Sequence, residues 1–140
     1  MSVTVTNPTA TASAVPTVGS LLRDGAVATV LAAVATAAVA AAGPVVGISL
    51  DVAGATIPAS GFATLTVIFS VIGLLIAVGL RRFARRPRDT WIRTTVALTV
   101  LSLVPDVLAD AATGTKVLLM VTHVVAAAIV IPAVARRLRA

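Results

Sequence analysis

Four long apolar runs, at about 25–46, 61–80, 91–112 and 115–135, leave this chain few ways to fold. Each is close to the ~20 residues that a helix needs to cross ~30 Å of hydrocarbon at ~1.5 Å per residue. A strand left open in lipid cannot pair its backbone amides, whereas a helix satisfies its own. The chain is 59% hydrophobic and 11% charged, with mean hydropathy +1.08. A soluble domain carries about a quarter charged residues, so the departure is toward lipid as solvent. The expected fold class is all-α: an integral membrane bundle of four transmembrane helices.

Charge placement sets the expected orientation. Arg23 precedes the first run, "RRFARRPRDTWIR" joins the second to the third, and "RRLRA" follows the fourth. With four spans all three fall on one side. The other side receives "SLDVAGATIPAS" and "DAATGTK", which hold a single lysine between them. The positive-inside rule then makes both termini cytoplasmic, in a multi-pass protein of the plasma membrane.

A net charge of +6 invites a nucleic-acid reading, but the basic residues abut apolar runs. The partners expected are the bilayer and anionic headgroups at the cytoplasmic face, and no nucleic acid. Headgroup contact falls to Arg81, Arg82, Arg85, Arg86 and Arg88, followed by Arg93. Trp91 is expected among them as an interfacial aromatic anchor, and Pro87 breaks any continuous helix through the loop.

The first 20 residues are rich in Thr, Ala and Pro and carry no charged side chain. They have no helical period and are read as a disordered tail ahead of a four-helix domain, 21–140. The first run is dominated by alanine, and Ala38 and Ala40 form an A-x-A pattern. Its length, and the polar stretch before it, argue for a retained helix over a cleaved signal. Gly43 and Gly47 form a G-x-x-x-G pair. In so small-sided a helix, close packing within the chain is the first expectation. A homo-oligomer or a membrane-protein partner stays open.

Few groups could support chemistry. There is no cysteine or tyrosine and only one histidine, so thiolate sites and disulfides are excluded. No serine lies in a nucleophile motif. No catalytic residue, metal or cofactor is expected, and the protein is not expected to be an enzyme.

The polar residues of the last two runs are the exception. Asp106, Asp110, Lys116 and His123 lie in otherwise apolar helix around a turn near Thr113 and Gly114. Asp106 and Asp110 share a face at i and i+4, which Ser102 and Thr99 extend inward. In an antiparallel hairpin Asp106 and His123 fall at matching depth, roughly 12 Å below the outer helix ends at ~1.5 Å per residue. The simplest packing sets Asp106 opposite His123 and Asp110 near Lys116 at the rim. A central Asp costs roughly 2.5–3.5 kcal/mol to insert, so it faces the bundle or a cavity.

Two roles follow. One is interhelical glue in a small membrane protein with a structural or protein-interaction role. The alternative is a carrier or channel component using the Asp106/His123 pair as a proton- or ligand-responsive site.

"LSLVPDVL" in the third run and "THVVAAAIVIPAVARRL" in the fourth resemble a group of small actinobacterial membrane proteins of unknown function. The likeness spans about 21–138 and rests on Pro105, Asp106, His123 and Pro132. It implies a four-helix membrane protein, and no activity comes with it.

Overall fold

The computed structural model describes residues 17–138. Residues 1–16 of the expected tail lie outside that range, as do Arg139 and Ala140. Four helices form: α1 (Val18–Val45), α2 (Ala59–Phe83), α3 (Pro87–Leu108) and α4 (Thr113–Ala135). All four are long and apolar enough to cross a membrane. A small hairpin, β1 (Asp51–Val52) with β2 (Ala55–Thr56), interrupts the α1–α2 connection.

Helix ends follow local chemistry. Thr17 caps α1, its hydroxyl accepting from the Ser20 amide at 3.1 Å, so the helix starts earlier than the apolar run and absorbs residues 18–20 of the expected tail. The satisfied amide is what a Thr cap supplies. At the other end Gly47 adopts φ +78°. The Ile48 amide then reaches the Gly43 carbonyl at 2.9 Å, and the Gly47 amide reaches Pro44 at 3.1 Å. That pair of bonds is a Schellman motif, for which glycine carries no Cβ penalty.

Helix α3 starts on Pro87 at its first position, where the missing amide costs nothing. It ends at Leu108, four residues short of the expected boundary. The turn to α4 therefore occupies residues 109–112, while Thr113 and Gly114 lie inside α4.

The hairpin was not anticipated. Ala53 and Gly54 both take positive φ, 50° and 77°, as a tight two-residue turn requires. An alanine there costs roughly 1 kcal/mol or more. Its amide is offset by a bond to the Asp110 carbonyl at 2.8 Å, which docks the hairpin onto the α3–α4 turn.

Helix α1 is the centre of the bundle, packed on both α2 and α4. Its buried positions are mostly small: Gly25, Ala28, Ala32, Ala40 and Gly43 among them. A Cβ on Gly25 would strike the Leu74 side chain, and one on Gly43 would lie 2.7 Å from Leu118 Cδ1. The glycine pair thus divides its tasks: Gly43 admits α4, and Gly47 ends the helix.

Two clusters hold the ends. Leu21, Leu74, Trp91, Val134 and Leu138 pack at the arginine-rich end, and Ala40, Leu50, Phe62 and Leu118 pack at the hairpin end. A clasp closes the first: Asp24 pairs with Arg137 Nη2 at 2.6 Å, and Arg81 donates to the Arg137 carbonyl at 3.2 Å. Elsewhere the outer faces of the helices are large and apolar, with Leu31, Phe69, Leu75 and Leu101 each more than half exposed. Apolar patches on that scale are seldom left facing water and suit contact with lipid.

Candidate functional site

Helix α3 is the most weakly held of the four helices. Its buried residues are Pro87, Trp91 and Asp106, so it is fastened near its two ends. Asp106 lies fifteen positions after Trp91, about 22 Å of helix at ~1.5 Å per residue. Between these points α3 stands away from α2, with which it makes few contacts.

The gap is a cavity of about 570 Å³, within the ~300–1,000 Å³ usual for small-molecule sites. Helix α4 forms its floor and α2 and α3 its walls. Leu65, Phe69 and Ile72 of α2 and Leu98 of α3 line it, yet remain 52, 66, 47 and 49% exposed. The α4 residues that line it are all buried or half-buried. The mouth therefore opens sideways between α2 and α3, where lipid would lie.

Asp106 and His123 stand at the hairpin end of this cavity. The His123 Nδ1 lies 2.9 Å from Asp106 Oδ2, with side-chain exposures of 39% and 9%. The same nitrogen is 3.0 Å from the Leu119 carbonyl one turn back on α4. A carbonyl only accepts, so Nδ1 carries a proton, which is aligned on the Leu119 carbonyl while the Asp106 carboxylate stands at a comparable distance. Asp106 Oδ2 is then buried, beside the His123 ring but with no well-aligned hydrogen-bond donor among the described residues. Closeness and bonding differ here: the pair is near enough to attract, but the carboxylate oxygen is left unsatisfied.

The approach of Asp106 to His123 is the one the helical spacing suggests. The other expected contact does not form. Lys116 Nζ donates to the Val107 carbonyl at 3.0 Å, and Asp110 is exposed beyond the end of α3. The physical reason is the earlier helix end. Its last four carbonyls lack intrahelical partners, and one of them is a nearer acceptor for the lysine than a carboxylate on the turn.

Trp91 is a second correction. It is 1% exposed, and its Nε1 donates to the Ile131 carbonyl at 3.1 Å. Because α3 begins at Pro87, Trp91 sits a full turn inside the helix on its inward face, at the far end of the cavity. It is a core residue, not an interfacial anchor. Arg82, Arg85, Arg86, Arg88 and Arg93 are exposed, whereas Arg81 is partly taken up by the clasp.

Hydroxyls line the α3 wall between the anchors. Thr95 donates to the Trp91 carbonyl at 2.7 Å, Thr99 to Thr95 at 2.8 Å and Ser102 to Thr99 at 2.7 Å. On the floor, Thr122 donates to Leu119 at 2.7 Å. Spacing alone identifies Thr99 and Ser102; Thr95 continues the same i−4 series. Thr66 and Ser70, contributed by α2, had no sequence signal tying them to the site. Among the described residues, no three His, Asp or Glu side chains converge as a metal site would need.

The model of one family, described as a family of unknown function (DUF6069), matches residues 16–140. The chain belongs to that family. Its match takes in all four helices and every residue of the cavity, so the site lies inside the region that defines DUF6069. No curated protein and no solved structure matches the chain.

Proposed function

We propose that this DUF6069 protein binds an apolar small molecule inside the membrane, as a carrier or ligand-responsive component and not as an enzyme. The molecule enters from the lipid between α2 and α3 and places its polar end at Asp106 and His123. The observation that carries this reading is Asp106: a buried carboxyl group, one oxygen of which lacks an aligned donor, on a residue that lines a cavity. Interhelical glue calls for a dry contact with both partners satisfied, since a half-satisfied buried pair is poor cement. The arrangement also fits the orientation expected from charge, with both termini and the arginine loop at the cytoplasmic face of the plasma membrane. The exposed arginines would then meet anionic headgroups.

A structural or protein-interaction role is the second reading. It is favoured by Asp106 being among the few buried residues of α3, so that the pair fastens the hairpin.

Trp91 supplies the test, because it is the single tryptophan of the chain and lines the cavity. In phosphatidylcholine vesicles, dodecanol should change Trp91 fluorescence saturably. Ala126→Phe, which fills the floor of the cavity, should remove the saturable part. A response that stays linear, or that is identical in the variant, would sink the binding reading in favour of the structural one.

A further inference from the structure

The polar lining of the α3 wall and the floor near Asp106 leans one way, although Ser70 and Thr94 keep hydroxyl protons of their own. The hydroxyls of Thr95, Thr99, Ser102 and Thr122 have given their protons to carbonyls of their own helices. What each retains toward the cavity is lone pairs. His123 has committed Nδ1–H to Leu119, so in the neutral ring Nε2 is a bare acceptor. An ionised Asp106 is acceptor-only, and its Oδ2 is the atom without a donor. Among the described residues no lysine or arginine lines the cavity; Lys116 is turned to Val107. Around Asp106 the cavity therefore offers mainly acceptors and, with the carboxyl ionised, a negative charge, in a setting where an unpaired charge is costly; the uncommitted hydroxyls of Ser70 and Thr94 belong to its walls.

We propose that the ligand is a lipophilic ammonium ion: an amphiphile whose primary amine head supplies N–H donors and a positive charge to Asp106, with its apolar tail along the α2–α3 groove. This deepens the binding reading above and rests on it. A neutral alcohol head supplies one donor and no charge. A carboxylate head supplies neither and meets a like charge. Both fit the groove, but only the amine brings a positive charge to the Asp106 carboxylate that lines it, and charge-assisted hydrogen bonds are about twice as strong as neutral ones.

The experiment uses the full chain in phosphatidylcholine vesicles, with three probes of equal tail length: dodecylamine, dodecanol and dodecanoate. The concentration giving half of the saturable Trp91 response is read for each, with Ala126→Phe as the subtraction. Dodecylamine should saturate at a concentration at least tenfold below dodecanol, with dodecanoate weakest. Asp106→Asn should raise the dodecylamine value at least tenfold while leaving dodecanol within twofold, and retained dodecanol binding shows that the variant is folded.

Dodecanol or dodecanoate binding as tightly as the amine would overturn the assignment of a cation while leaving the groove as a site. So would amine binding that ignores Asp106→Asn. Failure of all three probes to saturate would overturn both the assignment and the binding reading it rests on.

Discussion

Replacing Asp106 by Asn tests whether α3 is fastened by its polar pair or merely tolerates it. The substitution preserves shape and removes the charge. In the wild type, the donorless Oδ2 carries a penalty of about 1–3 kcal/mol for a buried acceptor left unmade. Against it stands the attraction of His123 at 2.9 Å, weakened because its Nδ1 proton is directed to Leu119. Interhelical polar contacts in membranes average ~0.6 kcal/mol and reach ~1.7, so they do not outweigh the penalty. Asp106→Asn should therefore be as stable as wild type or more stable by up to ~1 kcal/mol, since it removes the cost of burying a charge that its neighbour only partly compensates.

The assay is reversible unfolding of the single and double variants with His123→Gln in mixed micelles, which yields a coupling energy. The expected coupling is no more than ~0.6 kcal/mol. If Asp106→Asn lost more than ~1 kcal/mol with coupling near the ~1.7 maximum, the pair would be satisfied glue and the reasoning would be wrong. A group that costs stability yet sits on a cavity wall is what a binding site accepts in exchange for function.

Three further outcomes follow from the packing. Gly25→Val should destabilise the bundle by about 1–3 kcal/mol, because the new side chain overlaps Leu74 and the leucine must shift in a packed seam; unchanged thermal stability in detergent would show that α1 and α2 are not so close. Trp91→Phe should cost about 1 kcal/mol through loss of the indole bond to Ile131, measured by circular dichroism on heating. No loss there, with weakened vesicle association instead, would return Trp91 to the interface. A reporter inserted between Arg85 and Arg86 should be active only in the cytoplasm, and external activity would reverse the orientation drawn from the charges.

The membrane character and number of the helices were legible because they rest on composition and length alone. Any run of ~20 apolar residues between polar breaks has the same solution in lipid. The approach of Asp106 to His123 was legible too, since helical periodicity and a short turn place two residues at equal depth without knowledge of any side-chain rotamer. The expected Asp110–Lys116 contact failed where that logic is weakest, at a helix end. A few residues' shift there moved the carboxylate out and offered the lysine a free carbonyl. Trp91 was misplaced for a related reason: proximity to a basic loop says nothing about which face of the helix it occupies.

What the sequence by itself determined is therefore what depends on local periodicity and transfer into lipid: four helices, a small-sided α1, and acidic and imidazole groups facing inward from the last hairpin. The tertiary structure alone decided that α1 lies at the centre, that Asp24 and Arg137 close one end, and that α3 leans away from α2 to leave a groove. Those features depend on how side chains from distant segments share space. Gly25 admits Leu74, and Trp91 reaches Ile131 across the bundle. No spacing within one helix encodes such a meeting, because the cavity is made by the residues that do not touch.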